Sequence, residues 1–454
     1  MTERTVIVGG GITGLAAAHE LHRQGREFVV LDAADRVGGK IAGGPVDGAG
    51  LAFDVDMAAD GFLAREPEMT ELCIELGLES ELTSPRPGGA FMWVEGALRR
   101  IPPGVLGAPL DPAAVADSGI VSADGITALR TGLAADLPPL QGDATVGEVL
   151  RPRVGDEVFA RLIDPLIGGI NAGTADEMSI RSGAAALADA ASKGGPFGQA
   201  LHEHVAAAVT GGPVFHGVLG GSQRIIDALS DELGDRIRTG AEVFDIERDG
   251  EAWTVRTDDE AIHADKVLLT TPGWVSAGLL ARHAPEAAAV LAGLAYADAV
   301  LVTFVAHRDQ VAHNIDGAGF LVPRDQGLLM TACSVSSYKW EHYDDGDHVI
   351  MRVSAGRTDD GRWVAMPIDE VVAQLRDELR LTVGLTGEAV ARVSEWRRCL
   401  PQYRPGHLDR CDQIDEWLTR DAPGVRVAGA SMRGLGLPAC VRQGRAAVMP
   451  AARS

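Results

Sequence analysis

Val6-Ile7-Val8-Gly9-Gly10-Gly11-Ile12-Thr13-Gly14, residues 6–14, is an apolar run closing in Gly9-x-Gly11-x-x-Gly14 that leads straight into a helical segment from Leu15 to Gln24. A strand, a tight turn and a helix in that order offer unpaired amides at the helix's positive end, where a pyrophosphate can sit. The first glycine permits the turn, the second removes a Cβ from the path of the phosphate, and the third lets helix pack on strand. Gly25 ends the helix, and a second strand from Glu27 to Leu31 delivers Asp32. That carboxylate stands eighteen residues beyond Gly14, the distance at which it accepts hydrogen bonds from an adenosine ribose.

The segment Asp32-Ala33-Ala34-Asp35-Arg36-Val37-Gly38-Gly39 adds a cation beside a second glycine pair, suited to another approach to pyrophosphate. This two-part arrangement resembles that of FAD-binding oxidoreductases related to the amine oxidases.

A chain of 454 residues is too long for one ordinary core, so two or three structural units are expected. Hydrophobic residues at 46% with 23% charged describe a soluble globular protein with room for a large buried cofactor. A formal charge of −23 argues against nucleic acid and against an anionic membrane surface, both of which demand a positive field. An anionic substrate would need a local basic lining. Five cysteines, at 73, 333, 399, 411 and 440, never fall in CxxC spacing, so neither a disulfide framework nor a zinc site is expected. His202 and His204, two apart on a helix, point to different faces, and no metal is expected there. Met1-Thr2-Glu3-Arg4 runs directly into the first strand and no stretch reaches transmembrane length, so a cytoplasmic protein without membrane association is expected.

The expected fold class is α/β: a discontinuous Rossmann-like FAD-binding domain, a mixed-sheet substrate domain and a helical insertion. The expected division assigns 1–85, 215–289 and 386–454 to the cofactor domain, 86–110 and 290–385 to the substrate domain, and 111–214 to the helical subdomain. Glu95-Gly96 reads as a hairpin turn, and the prolines at 109, 112, 138 and 139 break the Ala- and Leu-rich stretch into short helices.

Taken in order, further motifs resemble the flavin-dependent porphyrinogen oxidases of heme synthesis over nearly the whole chain. They are Asp60-Gly61-Phe62-Leu63, Asp164-Pro165-Leu166-Ile167-Gly168-Gly169-Ile170-Asn171-Ala172-Gly173, Leu219-Gly220-Gly221, Pro401-Gln402-Tyr403 with Gly406-His407, and Gly434-Leu435-Gly436-Leu437-Pro438-Ala439-Cys440. The resemblance implies that Gly9, Gly11, Ile12, Thr13 and Gly14 hold the pyrophosphate of FAD and Asp32 and Ala33 its ribose. It implies that Arg36, Gly38, Gly39 and Lys40 continue along the cofactor and that Val243 offers its backbone to adenine. Ala58, Ala59, Asp60, Gly61, Trp396, Gly429, Leu435, Gly436 and Leu437 would lie near the ribityl chain and flavin, with Gly169 and Lys339 at the substrate. Many relatives carry Gly-Pro where this chain has Ala58-Ala59. Mitochondrial-type members place an arginine for a substrate propionate where this chain has Ala90, so the carboxylates must find other partners.

The implied chemistry is oxidation of coproporphyrinogen III to coproporphyrin III by loss of six electrons, with hydride passing to flavin and oxygen as final acceptor, giving hydrogen peroxide. The protein chiefly positions the substrate, and no general base is named. Arg65, Arg99, Arg100, Lys193 and Lys339 are the candidate partners for propionates, Lys339 foremost because Tyr338 and Trp340 flank it. Protoporphyrinogen IX oxidation, amine oxidation and a noncatalytic scaffold stay open as alternatives, as does a contact with a partner ferrochelatase. Only 5% aromatics makes an amine-enclosing aromatic cage less favoured.

Overall fold

A computed structural model of the chain describes residues 3–207, 212–312, 315 and 317–449. Its centre is a five-stranded parallel sheet in the spatial order Ile237–Arg238, Glu27–Leu31, Arg4–Val8, Lys266–Leu269, Val425–Val427. These strands come from three distant stretches of chain, as a discontinuous Rossmann-like domain requires. Val6, Ile7 and Val8 are buried because helices cover one face of the sheet and a three-stranded antiparallel layer, 245–264, packs with helices on the other. The opening helix, Ile12–Arg23, lies directly against the last one, Leu437–Val448. A Cβ on Gly444 would stand 2.1 Å from the Thr13 carbonyl oxygen, so this crossing needs a residue without a side chain.

The second layer is a seven-stranded mixed sheet in the order Val390–Pro401, Tyr296–His307, His348–Ala355, Met330–Val335, Gly317–Leu321, Gly89–Val94, Ala97–Arg100. Val390–Pro401 is its edge strand, although the sequence reading placed 386–454 with the cofactor domain. Alternation gives this sheet two unlike faces. Val300, Val302, Phe304, Met351 and Val353 pack on the amphipathic helix Ile368–Val383 through Val371, Leu375, Leu379 and Val383. The opposite face carries Thr303, Arg352 and Arg392 in lateral register and looks toward residues 42–61. The expected hairpin turn forms at Glu95 and Gly96, with φ of 52° and 77°.

Helices from Pro112 to Ala207 build a separate apolar core around Leu129, Leu150, Phe159, Leu162 and Leu187. Within it Asp156–Asn171 is one continuous helical stretch with a π turn at Phe159–Ile163, just before Pro165, which has no N–H to give the ladder. No helix among the described residues is long and apolar enough to cross a membrane.

Candidate cofactor and substrate site

All five parallel strands end on one side, and the chain segments leaving them converge there. Gly9 turns with φ 107°, its carbonyl accepting a bond from Thr270 Oγ1 at 2.7 Å, so the ends of two adjacent strands are tied together. A Cβ on Gly14 would lie 2.0 Å from the Gly9 carbonyl oxygen, which makes glycine obligatory for the helix to start so close to the strand. Gly11 is different: a Cβ there meets nothing within 4 Å. It caps a helix that has no side-chain cap and no acid in its first turn, so the amides of Ile12, Thr13 and Gly14 face open space with a favourable dipole. A diphosphate fits this cradle. The second glycine pair closes over it, with Gly38 donating to the Gly10 carbonyl at 2.7 Å and bridging Gly11.

Asp32 is half-buried at this end, its Oδ2 accepting from Gly10 N–H at 2.6 Å and its Oδ1 from Ala34 N–H at 2.8 Å; Ala33 between them is exposed. Its main-chain carbonyl takes the Ala241 amide, which brings Val243 to the same rim. Arg36 departs from expectation. Its guanidinium bonds the carbonyls of Val37, Gly39 and Ile41, so it braces its own loop, while Lys40 on that loop is exposed.

The last helix supplies a second uncapped N-terminus at Gly436, flanked by Leu435 and Leu437 and again without an acid in its first turn. Gly429 sits against Thr13, its Cβ position 3.1 Å from Thr13 Oγ1, so the starts of the first and last helices share one crevice.

The flavin-side segment is held by Trp396, which the sequence singles out, and by two arginines that it does not. Arg352 donates to the Ala58 carbonyl and pairs with Asp60 Oδ2 at 2.9 Å. Arg392 donates to the carbonyls of Gly44, Pro45, Val55 and Asp56, and Trp396 Nε1 to that of Met57 at 3.2 Å. Ala59 accepts from Ser222 Oγ at 3.1 Å, and Gly61 sits within van der Waals reach of Trp340. Backbone from 55 to 59 is therefore clamped by the polar face of the mixed sheet. The sequence signal for this was a polar or charged residue in each of three strands, Thr303, Arg352 and Arg392.

Lys339, read as a substrate cation, is instead 2.9 Å from Asp60 Oδ1, and Trp340 Nε1 donates to Asp60 Oδ2 at 3.0 Å. Burial alone would push the Asp60 carboxyl up, but Lys339 and Arg352 hold it well below the ordinary carboxylate range. Lys193 likewise pairs with Glu203 at 3.2 Å. Next to Asp60, Asp56 is buried and accepts from Tyr343 Oη and Ser222 N–H, each at 2.9 Å. Burial raises its carboxyl to about 6 against the opposing pull of Arg352.

The motif at 164–173 and the motif at 401–407 meet across the crevice. Gln402 donates to the Asn171 carbonyl at 2.8 Å, and Ser179 N–H to the Tyr403 carbonyl at 2.7 Å. Gly169 is exposed on the helix that ends there, with Leu321 of the mixed sheet 3.5 Å from its Cβ position. Tyr403 stacks on His407 with centroids 4.1 Å apart. Burial lowers His407 to about 4, so the imidazole is neutral at physiological pH.

A dinucleotide crevice at the ends of a parallel sheet, roofed by a mixed sheet, defines an FAD-dependent oxidoreductase. The family model for flavin containing amine oxidoreductase matches residues 12–449, and the chain belongs to that family. It is 32% identical to the coproporphyrinogen III oxidase of Mycobacterium leprae (strain TN) over 97% of this chain and 96% of that protein. The coproporphyrinogen III oxidase of Bacillus subtilis (strain 168) is 29% identical over 99% and 98%. A crystal structure from Exiguobacterium sp. 255-15, assigned by name as a protoporphyrinogen oxidase, superposes with TM-score 0.88 at 30% identity over 98% of each chain. Cyclohexylamine oxidase from Brevibacterium oxydans IH-35A, at TM-score 0.71 and 19% identity, shares the fold.

Proposed function

We propose that this protein is a coproporphyrinogen III oxidase of heme biosynthesis, removing six electrons to give coproporphyrin III with oxygen as acceptor and hydrogen peroxide as co-product. The observation that carries this reading is full-length similarity to proteins of that name at 27–32% identity, against 25% for protoporphyrinogen oxidase 1 of Arabidopsis thaliana. Bound FAD would supply the hydride acceptor and its own reoxidation by oxygen.

The amides of Ile12, Thr13 and Gly14 would bind the diphosphate, and Asp32 the ribose. The clamp of Arg352, Arg392 and Trp396 on residues 55–59 would fix the wall against which the isoalloxazine lies. The dipole at Gly436 would favour negative charge on the reduced ring. The substrate would enter between Gly169 and the polar face of the mixed sheet. Arg65, Arg99, Arg100, Lys193 and Lys339 are the cations proposed for its propionates. The proposal divides the chain as the sequence reading did, with 390–401 moved to the substrate side. A cytoplasmic location and a ferrochelatase contact are part of the same proposal.

The test is an aerobic assay of the yellow holoenzyme with coproporphyrinogen III, protoporphyrinogen IX and simple amines, following porphyrin fluorescence and peroxide. The expected result is the highest kcat/KM for coproporphyrinogen III. Preference for protoporphyrinogen IX or for an amine overturns it.

A further inference from the structure

A cavity of about 300 Å³ lies at one end of the mixed sheet, lined by none of the crevice residues named above and adjoining the end of the helix that carries Gly169. Its charged lining is Arg324, Arg357, Arg362, Asp359 and Asp360. Two of the arginines are spent. Arg324 gives Nε to Asp164 at 2.6 Å, Nη1 to Asp359 and Nη2 to the Gly173 carbonyl at 2.7 Å. Arg362 holds Asp360 through Nε at 2.8 Å and Nη2 at 2.6 Å, and its Nη groups also reach the carbonyls of Gly327 and Leu328.

Arg357 differs from both. It is 7% exposed, yet no carboxylate lies within ion-pair distance of it among the described residues. One bond, Nη2 to the Val322 carbonyl at 2.8 Å, satisfies a group with five donors, and Nε is sealed from solvent without a partner. Two other arginines without an acid, buried Arg153 and half-buried Arg392, whose Nε also lacks a partner, have more acceptors. Arg153 gives both terminal nitrogens to carbonyls and Arg392 gives both of its own to four. A guanidinium taken out of water with donors unmet is costly, and an anion in the adjoining space would remove that cost.

We infer that the cavity is a binding site for a small oxyanion of the carboxylate or phosphate class, held by Arg357. The planar donors of a guanidinium match two oxygens of such a group, and 300 Å³ admits it with its hydration. Burial and the charge of Arg324 hold Arg357 down to about 10, so it keeps its charge at neutral pH. Asp359 and Asp360 oppose an anion, but each is bound to its own arginine, which sets the expected affinity as modest. The position gives binding a mechanical consequence. Thr358 N–H bonds the Ala172 carbonyl at 3.0 Å, and Arg324 bonds Gly173, so the cavity wall is continuous with the end of the helix carrying Gly169. An anion bound there would tie the loop after strand His348–Ala355 to the helical unit. The inference is independent of which porphyrinogen is the substrate.

The experiment is calorimetric titration of the FAD-loaded protein with inorganic phosphate and, separately, with acetate, at constant ionic strength set by chloride. Hydrogen exchange at 356–360 and 168–175 is followed in parallel. Expected are saturable binding of at least one probe and slowed exchange in both segments, with Arg357→Lys about tenfold weaker and Arg357→Gln showing neither. Absence of saturable binding by the wild type overturns the inference whether or not the variants fold. Equal binding by Arg357→Gln also overturns it. So does a signal that appears only with coproporphyrin and is lost in Arg357→Gln, since that would make Arg357 part of the substrate site.

Discussion

The crevice of the parallel sheet and the polar face of the mixed sheet grip the same region by opposite means. At the crevice the working feature is missing bulk: Gly14 and Gly444 let backbones touch, and Gly11 leaves a gap for a phosphate. On the mixed sheet it is reach, with Arg352 and Arg392 extending from central and edge strands to carbonyls some 300 positions earlier in the chain. The first kind of site depends on contacts within a short stretch and on close packing. The second depends on buried charge, whose cost is met only when every partner is present.

That contrast can be broken most sharply at the glycines. Gly14→Ala should destabilise by roughly 3 kcal/mol or fail to fold, because the opposing atom is backbone and cannot swing away. Gly11→Val should leave apo stability within about 1 kcal/mol yet lose flavin, since its side chain enters empty space. Thermal melts and the flavin-to-protein absorbance ratio of the purified variants separate the two. Equal loss of stability in both would erase the distinction between packing glycine and cradle glycine.

On the mixed-sheet side, Asp60→Asn leaves Lys339 and Arg352 facing each other without their counter-ion and should cost about 3 kcal/mol in denaturant unfolding. A shift below about 1 kcal/mol would show that the clamp is held by its carbonyl bonds alone.

Asp56 sharpens the comparison through pH. Burial raises its carboxyl from the ordinary aspartate range to about 6, so its proton-linked stability is complete below about 4 and is lost as pH rises through 6. His407 runs the other way: lowered to about 4, it contributes stability above 6.5 that is lost as pH falls. The wild type should therefore lose on the order of 2 kcal/mol relative to Asp56→Asn between pH 4 and 6.5, with a plateau above. A constant difference across that window would mean that Asp56 does not titrate there. The smallest effect is expected from Trp396→Phe, about 1 kcal/mol from the lost bond to the Met57 carbonyl, read as a modest rise in the FAD dissociation constant.

The cofactor half was largely legible beforehand because a strand, three glycines and a helix are consecutive in the chain, and so is the loop from Asp32 to Lys40. The loop-bracing bonds of Arg36 were not legible, since a motif states residue type without stating which acceptors lie nearest. The pairing of Lys339 was invisible beforehand because its partner, Asp60, stands 279 positions away. The strand Val390–Pro401 was given to the wrong layer for the same cause, since strand pairing is a relation between segments and leaves little trace inside either one.

Sequence by itself determined the strand, glycine turn and helix at the start of the chain and the hairpin at Glu95-Gly96, because each rests on steric demands among neighbours in the chain. Tertiary structure alone decided which cations remain available to a ligand. A charge is neutralised by whatever opposite charge folding brings within a few ångströms, so Lys339 is satisfied and Arg357 is not.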